Sequence, residues 1–250
     1  MIVRTTHVSL SSMGRPKRRK PARLGRLTAW SEPAARAPLT RPRVVQAALA
    51  LLAEEGFDGL TMRRLAERLG IKAASLYNHV SDKLELLTLL GDAICEQVPE
   101  PDPAAPWRER LEGMGRAVRA VLTAHRDGAR VLAATPPAGP SRLRLIERLL
   151  AMLIGAGFSA ADAADAGHVL NSFVVGFVLD ETAGEPRGAA DAKRMQEEAR
   201  RWFKALPADQ YPTLVRLADE LIDTSADRRF EFGMRALLDG LELRLRSERR

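Results

Sequence analysis

The fold is decided by the stretch Leu60-Thr-Met-Arg-Arg-Leu-Ala-Glu-Arg-Leu-Gly-Ile-Lys-Ala-Ala-Ser-Leu-Tyr-Asn-His-Val80. Apolar residues recur at helical spacing on both sides of Gly70, a residue for which a positive φ is cheap. We therefore expect one helix from Thr61 to Leu69 and a second from about Ala73 to Val80. The side chains that would pack these helices together are Leu65, Ala66, Leu69, Ile71, Leu76 and Val80. This arrangement is typical of a helix-turn-helix, although the pattern also describes a helical hairpin with a solvated polar face.

The residues on the outer side of this unit suit contact with DNA. If the second helix lies in the major groove, Ser75, Tyr77 and His79 can hydrogen-bond phosphates, whereas Asn78 can read a base edge. Thr61 caps the first helix and places a hydroxyl at its N-terminus, which is a natural phosphate site. The residues that we predict to face DNA are Thr61, Arg63, Lys72, Ala73, Ala74, Ser75, Tyr77, Asn78, His79 and Lys83.

Helical patterns continue on both sides of this unit. A helix from Thr40 to Gly56 precedes it and another from Ser81 to about Val98 follows it, so we expect a domain of residues 39–98. Prolines between residues 99 and 106 mark a linker. Residues 106–250 contain further amphipathic helices and no segment that alternates as a strand would. The expected fold class is all-α, with an N-terminal three-helix domain joined to a C-terminal helical domain.

Positive charge is concentrated at the start of the chain. Residues 1–43 contain eleven Lys and Arg against one acid, whereas residues 41–95 contain seven side chains of each sign. Because phosphate neutralisation dominates affinity for DNA, a disordered basic arm of residues 1–38 can supply the charge that the neutral domain lacks. An arm that binds an anionic membrane and an arm without a role remain alternatives, and Met13 rather than Met1 can be the true start.

Other functional classes lack the residues that they need. His125-Arg-Asp-Gly128 superficially resembles a kinase catalytic loop, but Leu132 stands where the asparagine is expected. The run Gly155-x-Gly157 follows a helix instead of a strand, so it fails as a dinucleotide fingerprint. We interpret it as the C-cap of one helix, followed by a new helix that is capped by Ser159. The four histidines show no metal-ligand spacing. We therefore predict no catalytic residue, no cofactor and no metal. The single cysteine, Cys95, and the lack of an apolar run of about 18 residues favour a cytoplasmic protein without a membrane span.

Three phrases carry a family resemblance in the N-terminal part: Ala48-Leu-Ala-Leu-Leu-Ala-Glu-Glu-Gly-Phe-Asp-Gly-Leu-Thr61, Leu65-Ala66 and Ser75-Leu-Tyr-Asn-His-Val-Ser-Asp-Lys-Leu-Glu-Leu-Leu87. Three more lie beyond the linker: His125-Arg-Asp-Gly-Ala-Arg-Val131, Gly157-Phe-Ser159 and Gly176-Phe-Val-Leu-Asp180. With them the chain resembles the tetracycline-repressor (TetR) family over about residues 40–247. The resemblance implies a transcription regulator that binds palindromic double-stranded operator DNA as a homodimer. It also implies a small-molecule effector in the C-terminal domain that releases the DNA.

The resemblance further implies where the effector binds. Tetracycline-binding members use a histidine for the magnesium of the drug, but this chain has Leu132 there, followed by Thr135-Pro136-Pro137. A second expected histidine is missing among Glu96–Glu100. We therefore expect a different, more apolar effector. The predicted effector-binding residues are Leu132, Thr135, Leu149, Met152, His168, Asn171, Ser172 and Phe177.

Several alternatives stay open at this point. His168 also fits a satisfied core histidine, and Asn171 and Ser172 can bond a neighbouring helix instead of an effector. The long helix from about Ala160 and the final helix of the chain would form the dimer interface, or both are intramolecular core. The protein can equally be an activator with the same DNA contacts, or a helical small-molecule-binding or catalytic protein whose N-terminal domain no longer reads DNA.

Overall fold

The computed structural model describes residues 38–183, 189–223 and 225–248 of the 250-residue chain. All regular elements in these ranges are helices, which confirms the all-α prediction. The basic arm predicted for residues 1–38 lies outside the described residues apart from Pro38. The helices are α1 (Arg41–Gly59), α2 (Met62–Leu69), α3 (Ala73–Tyr77), α4 (Lys83–Cys95), α5 (Trp107–Ala124), α6 (Gly128–Ala133), α7 (Pro140–Ala156), α8 (Ala160–Thr182), α9 (Ala189–Lys204), α10 (Pro212–Arg216), α11 (Ala218–Asp223) and α12 (Ala226–Glu248).

Local capping sets the limits of the first two helices. The Thr40 side chain accepts a hydrogen bond from the Arg43 N–H, and the Thr61 side chain accepts one from the Arg64 N–H. Gly56 has φ 75° and breaks the regular path of α1 one turn before the helix ends. Gly70 ends α2 in the left-handed conformation, with φ 65°. The caps at Thr40 and Thr61 and the end at Gly70 agree with the sequence predictions, because each depends only on neighbouring residues. The predicted end of the first helix at Gly56 is wrong, because α1 continues through the kink at Gly56 to Gly59.

Helices α1 to α4 enclose one apolar core, to which α6 also contributes. Of the six predicted packing residues, Leu65, Ala66, Leu76 and Val80 are buried in this core, and Leu69 and Ile71 are partly buried against it. Val131 of α6 is fully buried in the same cluster. The N-terminal domain is therefore packed directly against a helix of the C-terminal half.

Three predicted boundaries of the third and fourth helices are wrong. The third helix ends at Tyr77 instead of Val80, and the N–H groups of both His79 and Val80 turn back to the carbonyl of Leu76. The fourth helix is capped by Asp82 and not by Ser81, because the Asp82 carboxylate accepts the Glu85 N–H at 2.8 Å. It also ends at Cys95 and not at Val98, after which the chain continues in turns.

The C-terminal half is a bundle around a second core. Helices α5, α7, α8 and α12 contribute the buried side chains of this core, of which Phe230 and Leu153 are the most enclosed. The Ser159 side chain accepts the Asp162 N–H at the start of α8, while Gly157 ends α7 with φ 103°. This capped helix junction is the structural interpretation that we preferred to a dinucleotide fingerprint. Helices α9, α10 and α11 pack against one another.

Candidate nucleic-acid interface and ligand cavity

The predicted DNA-facing residues lie on one accessible surface. Leu76 is buried and fixes α3 against the core, so that the neighbouring side chains turn outward. His79 and Lys83 are half-buried. The exposed members of the predicted set are Thr61, Arg63, Lys72, Ala73, Ala74, Ser75, Tyr77 and Asn78. We call the ten predicted residues together the recognition surface.

Arg41 holds the end of the recognition surface in place. Its Nε donates to the carbonyl of His79 at 3.0 Å, and its Nη2 donates to the Glu85 carboxylate at 2.9 Å. Glu85 also accepts from both the N–H and the hydroxyl of Ser81. The start of α1 is thereby tied to the end of α3 and to the first turn of α4. Sequence reasoning counted Arg41 only as part of the basic N-terminal region and missed this role.

Most of the arginines of α2 are neutralised within the domain. Arg63 pairs with Glu67 on the same helix, with an N–O distance of 2.9 Å. Arg64 pairs with Glu55 of α1, and the Arg68 guanidinium makes two hydrogen bonds to the carboxylate of Glu54. Glu54 consequently has a lowered pKa, chiefly because Arg68 hydrogen-bonds to the charged carboxylate. The recognition surface therefore carries little uncompensated positive charge.

The Lys83 ammonium lies against an aromatic ring of the same domain. It is 5.2 Å from the centre of the Phe57 ring, which is a cation–π contact. It also adds to the attraction that lowers the pKa of Asp58, although Arg130 contributes more. Lys83 therefore already makes favourable contacts within the protein.

The C-terminal half encloses a cavity of about 430 Å³. That volume falls within the range of roughly 300–1,000 Å³ that is usual for small-molecule sites. Most of the lining side chains are apolar and come from α5, α7 and α8. The polar side chains of the lining belong to Cys95, Arg142, His168 and Asn171. A largely apolar wall with a few convergent polar groups is the usual character of a ligand site.

Four of the eight predicted effector residues line this cavity: Leu132, Leu149, His168 and Asn171. The other four lie elsewhere. Met152 is buried in the core, and Phe177 packs against Phe173 and Phe230. Ser172 is exposed, and the buried Thr135 hydroxyl donates to the Val131 carbonyl at 2.9 Å.

The alternative interpretation of His168 as a core histidine is wrong, because the residue is exposed and lines the cavity. Periodicity placed it near an apolar face of α8. That face borders the cavity, so that a polar side chain there keeps contact with solvent.

Sequence reasoning missed Arg142, which is half-buried in the cavity wall. Its Nη1 donates to the Thr135 hydroxyl at 2.9 Å and to the Thr135 carbonyl at 3.2 Å, and its Nη2 donates to the Leu132 carbonyl at 3.0 Å. Arg142 precedes Ile146 and Leu149 by four and seven residues, so it shares their helix face. The apolar neighbour Leu143 is instead 53% exposed. The spacing of Arg142 from Ile146 and Leu149 is therefore the sequence signal that could have revealed this residue.

Burial dominates the electrostatics of this wall. It lowers the pKa of the Arg142 guanidinium. It also raises the pKa of the Cys95 thiol to about 11, since the nearby Arg142 charge only partly offsets desolvation. Both groups therefore lie in an environment that disfavours charge.

Two searches of the described residues gave negative results. No group of three or more His, Cys, Asp and Glu side chains within this part of the chain is arranged to hold a metal ion. None of its helices is both long and apolar enough to cross a lipid bilayer.

Comparison with protein-family models gives two adjoining matches. Residues 44–90 match the model for bacterial regulatory proteins of the tetR family. Residues 100–245 match the tetracyclin repressor-like C-terminal domain. The first match covers the helices that form the recognition surface, and the second covers all the helices that line the cavity except α4.

Individual relatives agree with the family models. The tetracycline repressor protein class A from transposon 1721 of Escherichia coli is 37% identical over 206 residues, which are 80% of this chain and 89% of the relative. The crystal structure of the Streptomyces coelicolor TetR family protein ActR in complex with actinorhodin has a TM-score of 0.75 at 37% identity, covering 84% of this chain and 99% of ActR. The structure of BioQ with its double-stranded DNA operator has a TM-score of 0.61 at 29% identity, covering 82% of this chain and 98% of BioQ.

Proposed function

Because the chain belongs to the tetR family of bacterial regulatory proteins, we propose that it is a repressor that binds a palindromic operator as a homodimer and is released by a small molecule. The observation that carries this proposal is the exposed recognition surface on a helix-turn-helix whose inner face is fully packed. BioQ, a structural neighbour, was crystallised with its DNA operator. A hairpin that had lost DNA binding would not need Arg41 to fix the end of α3.

The recognition surface divides into two kinds of contact. Tyr77 is 50% exposed and, with Ser75, supplies hydroxyls that hydrogen-bond phosphates. Asn78 follows Tyr77 at the end of α3 and reads a base edge in the major groove. Neither Lys72 nor Lys83 forms an ion pair among the described residues, and Lys72, which is exposed, contributes directly to phosphate binding.

The basic arm supplies the remaining attraction to DNA. The N-terminal domain adds little net attraction, because residues 41–95 contain seven basic and seven acidic side chains and Arg63 of the recognition surface is paired with Glu67. Residues 1–38 carry nine Lys and Arg against one acid. An arm of this charge adds phosphate contacts and makes the affinity depend more steeply on salt.

Helices α8 and α12 form the dimer interface. Their inner sides are core, with Val174 and Phe230 buried. Their outer sides carry large exposed apolar side chains, since Val169 is 46% exposed, Phe232 76% and Leu243 66%. Two such helices from each subunit give a four-helix contact that covers these side chains. The two sequence interpretations of these helices, core and interface, thus apply to opposite faces.

The cavity is the effector site. ActR, which shares the fold, was crystallised with actinorhodin. In this chain Leu132 lies in the cavity wall where the resemblance implies a magnesium-binding histidine. The effector is therefore a mainly apolar molecule that binds without a magnesium ion.

Helix α4 connects the cavity to the DNA-binding domain. Its first residue, Lys83, belongs to the recognition surface, and its last, Cys95, lines the cavity. Between them the Asp92 carboxylate accepts the N–H groups of Ser141 and Arg142 at the start of α7. An effector releases DNA only if it binds one conformation of the dimer more tightly than the other. The preferred conformation must be the one in which the two N-terminal domains have their DNA-free spacing, and not their DNA-bound spacing.

The test of this function is selection of binding sites from random double-stranded DNA with the full-length protein. The expected result is enrichment of one inverted repeat whose half-sites are separated by about one helical turn. Failure to enrich any sequence would contradict the proposal. In vitro transcription from a promoter that contains the selected site then separates a repressor, which lowers transcript yield, from an activator, which raises it.

A further inference from the structure

No charged partner of Arg142 occurs among the described residues. The cavity lining contains no Asp or Glu side chain among the described residues. Within the same part of the chain, no ion pair to the Arg142 guanidinium occurs. The neighbouring Asp92 uses its Oδ1 for the backbone N–H groups of Ser141 and Arg142. The guanidinium is thus held by neutral acceptors only.

Neutral carbonyls satisfy this guanidinium incompletely. Its Nη groups donate to oxygens of Leu132, Thr135 and Pro136, while its Nε makes no hydrogen bond to any described residue. Arginine presents five N–H donors in a fork that matches a carboxylate. A half-buried guanidinium therefore gains most from an anion that enters the same space.

The remaining wall limits what such an anion can be. Most of the residues that line the cavity are apolar and belong to α5, α7 and α8. The Cys95 thiol is a neutral group at ordinary pH, because burial raises its pKa to about 11. His168 and Asn171 of α8 offer hydrogen bonds at separate points of the lining. The cavity thus suits an apolar skeleton that carries one anionic group.

We infer that the effector bears an anionic oxygen group, such as a carboxylate or an ionised phenol or enol, which pairs with Arg142. This inference rests on the proposed function of the cavity as the effector site and adds the chemical class of the effector. The paired Arg142 would also contact helices that connect the cavity to the DNA-binding domain. Its guanidinium donates to the Leu132 carbonyl of α6, and its Nη1 lies beside Gly91 of α4.

The competing explanation is that Arg142 only stabilises the fold. Its hydrogen bonds join the end of α6 to the start of α7, and that role requires no ligand. If Arg142 has only this structural role, an acid and its neutral analogue should bind to the cavity equally well. Recognition of an anion predicts a preference for the acid that depends on this one side chain.

The experiment compares two probes that differ only in charge, anthracene-2-carboxylate and anthracene-2-carboxamide. Their dissociation constants are measured by fluorescence titration of the full-length protein and of Arg142→Gln, Arg142→Lys and Arg144→Gln. Arg144 is the matched control, because it lies on the same helix, bonds to Ser141 and does not line the cavity. Thermal unfolding followed by circular dichroism verifies that each variant is folded.

We expect the unmodified protein to bind the carboxylate at least about tenfold more tightly than the amide, as for a charge-assisted hydrogen bond. Arg142→Gln should remove this preference and leave the affinity for the amide within about threefold. Arg142→Lys should keep part of the preference, and Arg144→Gln should keep all of it. If Arg142→Gln does not fold, two measurements still distinguish recognition of an anion from a purely structural role. They are the affinities of Arg142→Lys for the two probes and the affinities of the unmodified protein for the same probes.

Equal binding of the two probes overturns the inference, and so does a preference that survives in Arg142→Gln. Binding of neither probe also overturns it, because the cavity has the volume and the cation that an aromatic carboxylate needs. Operator binding is measured separately without any probe. Loss of that binding would refute the proposed function, whereas intact operator binding without acid preference refutes only the inference about charge.

Discussion

The carboxylate of Asp127 accepts a hydrogen bond from the backbone N–H of Phe57 at 2.7 Å, across 70 residues of sequence. The approach depends on Gly56, since a Cβ there would lie 2.9 Å from Asp127 Oδ2. Asp127 itself has φ 58°, the single positive φ outside glycine among the described residues. This hydrogen bond joins the end of α1 in the N-terminal domain to the turn before α6, the helix whose Leu132 lines the cavity.

Replacing Asp127 by alanine should weaken the junction between the two domains. The Phe57 N–H would lose its acceptor, and alanine would have to adopt a left-handed conformation. We expect the free energy of unfolding to fall by about 1–3 kcal/mol, measured by urea denaturation.

The control for this change is Asp58→Ala. Asp58 belongs to the same junction and pairs with Arg130 at 3.1 Å, but its side chain is 83% exposed. An exposed ion pair contributes about 0–1 kcal/mol, so the loss should be smaller. Equal losses in the free energy of unfolding for the two variants would show that the hydrogen bond to Phe57 stabilises the protein no more than the exposed ion pair does.

The turn of the helix-turn-helix should depend on Gly70. Its φ of 65° is a conformation that an L side chain adopts at a cost, so Gly70→Ala should lower the free energy of unfolding by about 1–2 kcal/mol. Gly113→Ala is the matched control, because Gly113 lies inside α5 and a Cβ there would meet nothing within 4 Å. That variant should gain about 0.5–1 kcal/mol. A stabilising effect of Gly70→Ala would contradict the turn geometry.

The pKa of Cys95 should govern its reactivity. Because the thiolate is the reactive form and burial raises this pKa to about 11, alkylation by iodoacetamide should be slow at neutral pH and should accelerate up to about pH 11. The folded state favours the protonated thiol, so this group's contribution to stability is lost as pH rises towards the same value.

Cys95 is the only cysteine of the chain, so the labelled fraction measured by mass spectrometry reports on this residue alone. An occupant of the cavity should slow the labelling further, since Cys95 lines it. A rate that levels off near pH 9, as for an exposed thiol, would contradict the buried position.

The proposed dimer interface should be sensitive to charge on its exposed apolar face. Phe232→Glu in α12 places a carboxylate where the proposed four-helix contact would bury it, so the dimer should dissociate at micromolar concentration. Light scattering measures the change in mass. Trp202→Glu in α9 is the control, since Trp202 is also exposed, at 62%, but lies outside the proposed interface. A dimer that survives Phe232→Glu would place the interface elsewhere.

These residues also show what sequence could predict. Thr61, Gly70 and Ser159 mark helix limits through contacts within a few residues, and all three predictions are confirmed. The shorter third helix was not predictable, because its end depends on the Arg41 side chain from 38 residues away.

The cavity was predictable only in part. The family resemblance implied Leu132, and polar interruptions of the apolar α8 suggested His168 and Asn171. Arg142 was overlooked because an arginine is expected on the solvated side of a helix, while its carbonyl partners lie across the turn between α6 and α7. Thr135 was chosen as a ligand residue, yet its hydroxyl is engaged by Val131 and Arg142.

The central claim is that the recognition surface and the basic arm together bind operator DNA. It is tested by the affinity for the selected operator and for a scrambled duplex over a salt series. Four proteins are compared: the full chain, Tyr77→Ala, Lys72→Ala and a deletion of residues 1–38.

We expect the full chain to prefer the operator by a factor of about 10³ or more, with affinity that falls steeply as salt rises. Tyr77→Ala should weaken operator binding, and Lys72→Ala should reduce the salt slope by about 1. The deletion should reduce the slope further while the preference for the operator remains. Operator binding by the recognition surface and the basic arm would be contradicted by two results together. The full chain would bind both duplexes equally, and none of the three changes would alter the affinity for DNA or its salt dependence.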